Sequence, residues 1–106
     1  MAYSLEDLAQ TIAARATATA EKSYTKSLLD GGPAKCARKF GEEALETVIA
    51  AIEGDRTALI KESADVLFHL MVLWRAAGAE LGDVMAELEA RTGQSGHAEK
   101  AARPKT

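Results

Sequence analysis

The 106-residue chain has a single cysteine, Cys36, so it makes no internal disulfide, and a reducing cytoplasm is its natural setting. Proline is confined to Pro33 and Pro104, which leaves no proline to break a helix in the long stretch between them. Two Phe, two Tyr and one Trp, together with few Val, Ile and Thr, leave little from which to build a sheet. Basic charge is not in excess. The formal net charge of −3 excludes the basic stripe of a general nucleic-acid binder. The apolar run from Val66 to Trp74 is broken by His69 and too short to span a bilayer, so no membrane segment is expected. Met1–Asp7 has neither the basic start nor the apolar run of a signal peptide. Gly31-Gly32-Pro33 is followed by neither Lys-Ser nor Lys-Thr at Walker spacing, so no Gly-rich phosphate loop is present.

What remains is ordinary in bulk and helical in pattern. Apolar residues make up 47% and charged residues 27%, and alanine is abundant, so the composition predicts a single all-α domain. Ser4 caps a first helix from Leu5 to about Ala16–Ala20, with Leu5, Leu8, Ala9, Ile12 and Ala13 at helical spacing. Ser23 caps a short helical turn that stops at Gly31. Pro33 opens a second helix ending at Glu53-Gly54, and Asp55 caps a third from Arg56 to about Ala77, closed by Gly78. A last helix covers about Leu81 to Arg91. The expected architecture is a bundle of four main helices over residues 1–96, followed by a small basic tail over 97–106.

The third helix carries the most information. From Val66 to Trp74 every residue except His69 is apolar, and a helix apolar around most of its circumference must be covered on all sides. So short a chain has few elements to do this. A second copy is therefore expected, in a homodimer sharing a core that includes Leu67, Phe68, Leu70, Met71, Leu73 and Trp74. On the second helix, Ala37, Phe40, Ala44, Leu45, Val48, Ile49, Ala51 and Ile52 form one broad apolar arc.

Beside these apolar surfaces stand two acidic pairs, Glu43/Glu46 and Glu62/Asp65, each at i, i+3 and so on one helix face. If the two helices fold back across Glu53-Gly54-Asp55, the four carboxylates converge. Together without a cation they would repel and raise some of their own pKa values. An all-oxygen donor set answers to Mg²⁺, or Mn²⁺, better than to Zn²⁺. Such a cluster with Lys39, Lys61 and Arg38 nearby suits metal-assisted hydrolysis of a phosphoanhydride. Each element also has a plainer reading: acid pairs as a solvated face, residues 23–29 as a polar connector rather than a phosphate-holding segment, and His69 as a core polar group rather than a partner of Asp65 or substrate. Cys36 reads as a small core residue.

Glu43-Ala-Leu-Glu46, fifteen residues, then Glu62-Ser-Ala-Asp65 resembles the ExxE…ExxD pattern of the all-α nucleoside triphosphate pyrophosphohydrolases, the MazG-like superfamily. With Ser23-Tyr24-Thr25, Leu28-Leu29, Lys39-Phe-Gly-Glu-Glu-Ala44, His69, Asp83-Val-Met-Ala-Glu-Leu88 and Arg91-Thr-Gly-Gln-Ser-Gly96, the likeness narrows to the phosphoribosyl-ATP pyrophosphohydrolase family and runs from about Leu5 to Arg103. The resemblance implies Mg²⁺ on Glu43, Glu46, Glu62 and Asp65, with Glu42 or one of those ligands helping to deprotonate the attacking water. It implies Tyr24, Thr25, Lys26, Lys39, Lys61 and His69 as substrate contacts, a helical dimer, and a cytoplasmic enzyme that performs the second step of histidine biosynthesis. Glu80 stands where the family has a Ser-like cap, Cys36 is untypical, and His97 occupies a position that tends to be apolar. The alternatives are a house-cleaning hydrolase of other nucleoside triphosphates and a non-catalytic helical dimerisation module.

Overall fold

A computed structural model describes residues 2–93, and among these every regular element is an α-helix: α1 (Leu5–Ala16), α2 (Tyr24–Asp30), α3 (Gly32–Glu53), α4 (Arg56–Ala77) and α5 (Leu81–Thr92). The short turn expected after Ser23 is the seven-residue α2, so the bundle has four longer helices and one short one. The expected boundary at residues 96 and 97, the basic tail and His97 lie outside the described residues.

Local chemistry accounts for where the helices begin and end. The Ser4 hydroxyl accepts from the Asp7 amide at 3.1 Å, and the Asp7 carboxylate accepts from the Ser4 amide at 2.9 Å, a reciprocal cap that starts α1. α1 stops at Ala16, the near end of the expected range, and Thr17 caps it. Ser23 does two jobs. Its hydroxyl accepts from the Lys26 amide at 3.1 Å to start α2 and donates to the Arg15 carbonyl at 3.0 Å, tying the end of α1 to the beginning of α2. At the α5 start, Glu80 is held through its amide, which donates to the Asp83 carboxylate at 3.0 Å.

Between α3 and α4 the chain reverses over Gly54 and Asp55. Gly54 takes φ 73°, a left-handed conformation in which a side chain would be strained, and the Asp55 amide bonds back to the Ala50 carbonyl at 3.1 Å. The Asp55 carboxylate then accepts from the Ala58 amide at 3.0 Å to start α4. So short a turn forces α3 and α4 antiparallel and side by side. This hairpin is the frame of the molecule, and α1 and α2 pack against it.

The core lies where α1, α2 and α4 meet the first half of α3. Ile12, Leu28, Cys36, Met71 and Val72 are buried together, with Leu8, Leu29, Phe68, Leu73, Trp74 and Leu81 packed around them. Cys36 is a core residue whose thiol donates to the Leu28 carbonyl at 3.3 Å, and burial raises its pKa. Much of the α4 surface expected to need a second copy is therefore covered within the chain, while Leu67 stays open at 44% exposure. The larger uncovered face is on α3. Leu45, Val48, Ile49 and Ile52 are all exposed, Ile52 at 81%. The apolar arc read from the sequence is real, but its second half faces away from the chain's own core.

Candidate active site

The reversal at Gly54-Asp55 brings the acidic segments of α3 and α4 level with each other. Carboxylate oxygens of Glu43, Glu62 and Asp65 lie within 4.8 Å of one another, a spacing suited to one shared cation. Glu43 and Glu62 are half-buried and Asp65 is exposed, so the cluster opens at the Asp65 side. Glu46 lies outside this tightest group, on the more exposed side of α3, yet it reaches Glu62.

The electrostatics are concentrated on one residue. The Glu62 carboxyl is pushed up to about 7, first by a carboxyl–carboxyl hydrogen bond with Glu46, then by burial, then by Glu43, with the charges of both neighbours adding to the effect. Two carboxyls share a hydrogen bond only when one is protonated, so at neutral pH this corner holds a proton or needs a cation in its place. Consistent with that, the buried Glu62 Oε2 has no hydrogen-bond partner among the described residues.

The other residues singled out in the sequence fall into separate groups. Glu42 is exposed and forms a 3.5 Å ion pair with Lys39, so the proposed base and one proposed phosphate contact are engaged with each other one turn apart. Lys61 is exposed on α4 beside Glu62. Lys26 is ion-paired with Asp30 along α2. His69 is buried on α4, two turns beyond Glu62 on the same stripe, and its Nδ1 has no partner among the described residues. Thr25 is 1% exposed and its hydroxyl is likewise unpartnered.

Tyr24 is more than half exposed and reaches across from α2 to α4. Its ring lies nearly parallel to Phe68, with centroids 6.3 Å apart and 17° between planes, and edge-on to His69 at 6.0 Å. Phe68 and His69 are themselves edge-on at 5.1 Å. Phe68 was read from the sequence only as core. Its position three residues beyond Asp65 was the available sign that it borders the acidic stripe.

A cavity of about 910 Å³ lies elsewhere, between α1, the end of α4 and the start of α5, where Ile12, Met71, Trp74, Leu81 and Met85 line it. Twelve residues of α4 separate Glu62 from Trp74, roughly 18 Å along the helix, so this cavity is remote from the carboxylates.

The phosphoribosyl-ATP pyrophosphohydrolase family model matches residues 5–92, which include all five helices and every acid of the cluster. The chain belongs to that family. Similar curated proteins agree over nearly the full length. A phosphoribosyl-ATP pyrophosphatase of Methylobacterium radiotolerans is 61% identical over 102 residues, covering 96% of this chain and 95% of its own. Phosphoribosyl-ATP pyrophosphatase 1 of Rhodopseudomonas palustris is 57% identical over 101 residues, covering 95% and 94%. A phosphoribosyl-ATP pyrophosphatase of Ruegeria pomeroyi is 57% identical over 101 residues, covering 95% and 96%. Within this family the all-helical frame is as expected, and none of its described helices is long and apolar enough to cross a membrane.

Proposed function

We propose that this protein hydrolyses phosphoribosyl-ATP to phosphoribosyl-AMP and pyrophosphate, the second step of histidine biosynthesis, as a cytoplasmic homodimer. Membership of the family over residues 5–92, with 57% and 61% identity to proteins named for this activity, supports the substrate. The observation that carries the chemistry is the convergence of Glu43, Glu62 and Asp65 within 4.8 Å, with Glu46 against Glu62.

This donor set fits a divalent cation, Mg²⁺ or Mn²⁺. Its donors are hard oxygens, and Glu62 is left with a raised pKa and an orphaned buried oxygen. When bound, the cation supplies charge neutralisation and orientation of the phosphates at the bond to be broken. Glu43, Glu46, Glu62 and Asp65 would hold it. Glu62 would hold the cation as a carboxylate, its proton released to solvent. Lys61, exposed beside Glu62, and Lys39, one turn before Glu43, neutralise the outer phosphate oxygens once Lys39 exchanges Glu42 for substrate. That exchange frees the Glu42 carboxylate to accept a proton from the attacking water. Tyr24 and Lys26 on α2 would meet the substrate beyond Asp65, and Thr25 and His69, both buried, would support that side from beneath.

The second copy is proposed to cover the α3 face of Leu45, Val48, Ile49 and Ile52, which the described elements leave exposed. Pyrophosphate release from phosphoribosyl-ATP, dUTP and ATP, with and without Mg²⁺, tests the function. Mg²⁺-dependent release that is fastest with phosphoribosyl-ATP is expected. A faster reaction with dUTP or ATP would move the protein to the house-cleaning class, and no release with any of the three would leave a binding module.

A further inference from the structure

Tyr24 offers an aromatic surface beside the acidic stripe, and the structure holds that surface in one orientation. The residue is 55% exposed although its ring is braced by two others, Phe68 nearly parallel behind it and His69 edge-on. Because Phe68 and His69 are also in edge contact, the three rings form a closed set in which each limits the tilt of the others. A tyrosine needed only for core packing would be covered, and one serving only through its hydroxyl would not need its ring braced on two sides.

Two polar atoms next to Tyr24 in sequence or in ring contact with it lack a partner: Thr25 Oγ1 and His69 Nδ1 belong to side chains only 1% and 6% exposed, and neither makes a hydrogen bond among the described residues. Buried hydroxyls and imidazole nitrogens are normally paired with protein or water, so each of these atoms leaves a polar contact to be supplied. Tyr24 meets α4 four residues beyond Asp65, roughly 6 Å along the helix axis. That is the kind of gap a ribose bridges between a phosphate chain and its base.

We infer that the exposed face of the Tyr24 ring seats the planar base of a nucleotide whose phosphates lie on the carboxylate cluster, with Phe68 and His69 as the positioning residues that fix the ring. That the base is the purine of phosphoribosyl-ATP rests on the function proposed above. The contact depends on the tyrosine's ring, whereas the segment's composition reads as a polar connector or as hydroxyls suited to phosphate.

The test separates base from phosphates. Affinities of the full-length protein for Mg²⁺–α,β-methylene-ATP, which carries both, and for Mg²⁺–tripolyphosphate, which carries phosphates alone, are measured by calorimetry. Stacking on an aromatic side chain should make the wild-type protein prefer the nucleotide by roughly tenfold or more. Tyr24→Ala should bring the ratio of affinities close to one while leaving tripolyphosphate binding unchanged, and Tyr24→Phe should keep the ratio. Phe68→Leu, which loosens the brace without removing the ring, should lower the ratio by a smaller factor. A wild-type ratio near one overturns the inference. So does a Tyr24→Ala variant that keeps the ratio or weakens both ligands equally, a Tyr24→Phe variant that behaves like Tyr24→Ala, or an unchanged ratio in Phe68→Leu. Turnover of phosphoribosyl-ATP is measured separately, and its absence would remove the proposed substrate while the affinity ratio still decides the base contact.

Discussion

Glu46 on α3 and Glu62 on α4 set their carboxyls against each other across the hairpin, and the Glu46 carboxyl is the first cause of the Glu62 pKa standing at about 7 in place of 4.5. The pair ties the frame of the fold to its chemistry. Only the short reversal at Gly54-Asp55 keeps the two helices close enough for these carboxyls to meet, so the same turn that ends α3 also creates a site short of positive charge.

The first prediction is a pH dependence in the metal-free protein. With Glu62 at 4.5 when unfolded and about 7 when folded, its contribution is fully favourable below pH 4.5. Between these values the unfolded chain loses the proton first, so the folded state loses stability as pH rises through about 7. Mg²⁺ replaces the proton, and its stabilising effect should grow over the same interval. Thermal denaturation in EDTA and in Mg²⁺, at steps from pH 4.5 to 8, should show the two curves diverging as pH rises. A gap that narrows toward pH 8 would contradict the assignment of Glu62 as a ligand.

Glu46→Gln separates the metal site from the fold. The amide removes a carboxylate ligand but still donates to Glu62, so the repulsion is relieved without the proton. Mg²⁺-dependent turnover should fall below detection, helix content by circular dichroism should stay unchanged, and melting in EDTA at pH 8 should rise. Full activity in this variant would remove Glu46 from the site.

The legible part of this molecule was set by local rules. Helix ends could be placed because Ser4, Ser23, Asp55, Gly54 and Gly78 act within a turn of themselves, and the i, i+3 acid pairs needed only one antiparallel reversal to converge. The less legible part depends on contacts distant in sequence or on which near neighbour a long side chain chooses. Lys26 and Lys39 looked free to meet phosphate, but each is within one helical turn of an acid and pairs with it. Phe68 looked like core because nothing in its own helix announces Tyr24, which arrives from α2. The α3 arc from Leu45 to Ile52 had the pattern of a buried face, and pattern alone does not say whether the cover comes from the same chain.

Ser23→Ala should be the most damaging small change away from the acids. The buried Ser23 hydroxyl bonds both the Lys26 amide and the Arg15 carbonyl, so its loss leaves α2 uncapped and unhitched from α1. A cap and a part-buried hydrogen bond together contribute about 1.5 kcal/mol, which lowers Tm by roughly 5–10 °C at fixed protein concentration. Because α2 carries Tyr24 and Thr25, affinity for the nucleotide should weaken more than affinity for Mg²⁺. Equal losses for both ligands would mean that α2 acts only on overall stability.

The exposed α3 stripe predicts the assembly and how to break it. Leu45, Val48, Ile49 and Ile52 stand at i, i+3, i+4 and i+7, a single stripe that water meets along its whole length in the isolated chain. Two copies related by a two-fold axis can bury this stripe against itself, and a charge at its centre would then be buried twice. Sedimentation equilibrium of the wild-type protein at micromolar concentration should therefore give a dimer. Val48→Lys, on a side chain 52% exposed within one chain, should leave the helices intact. It should weaken association by about 2 kcal/mol or more, roughly thirtyfold in the dissociation constant. A monomeric wild-type protein, or a Val48→Lys variant that dimerises as tightly as its parent, would place the stripe outside any interface between copies.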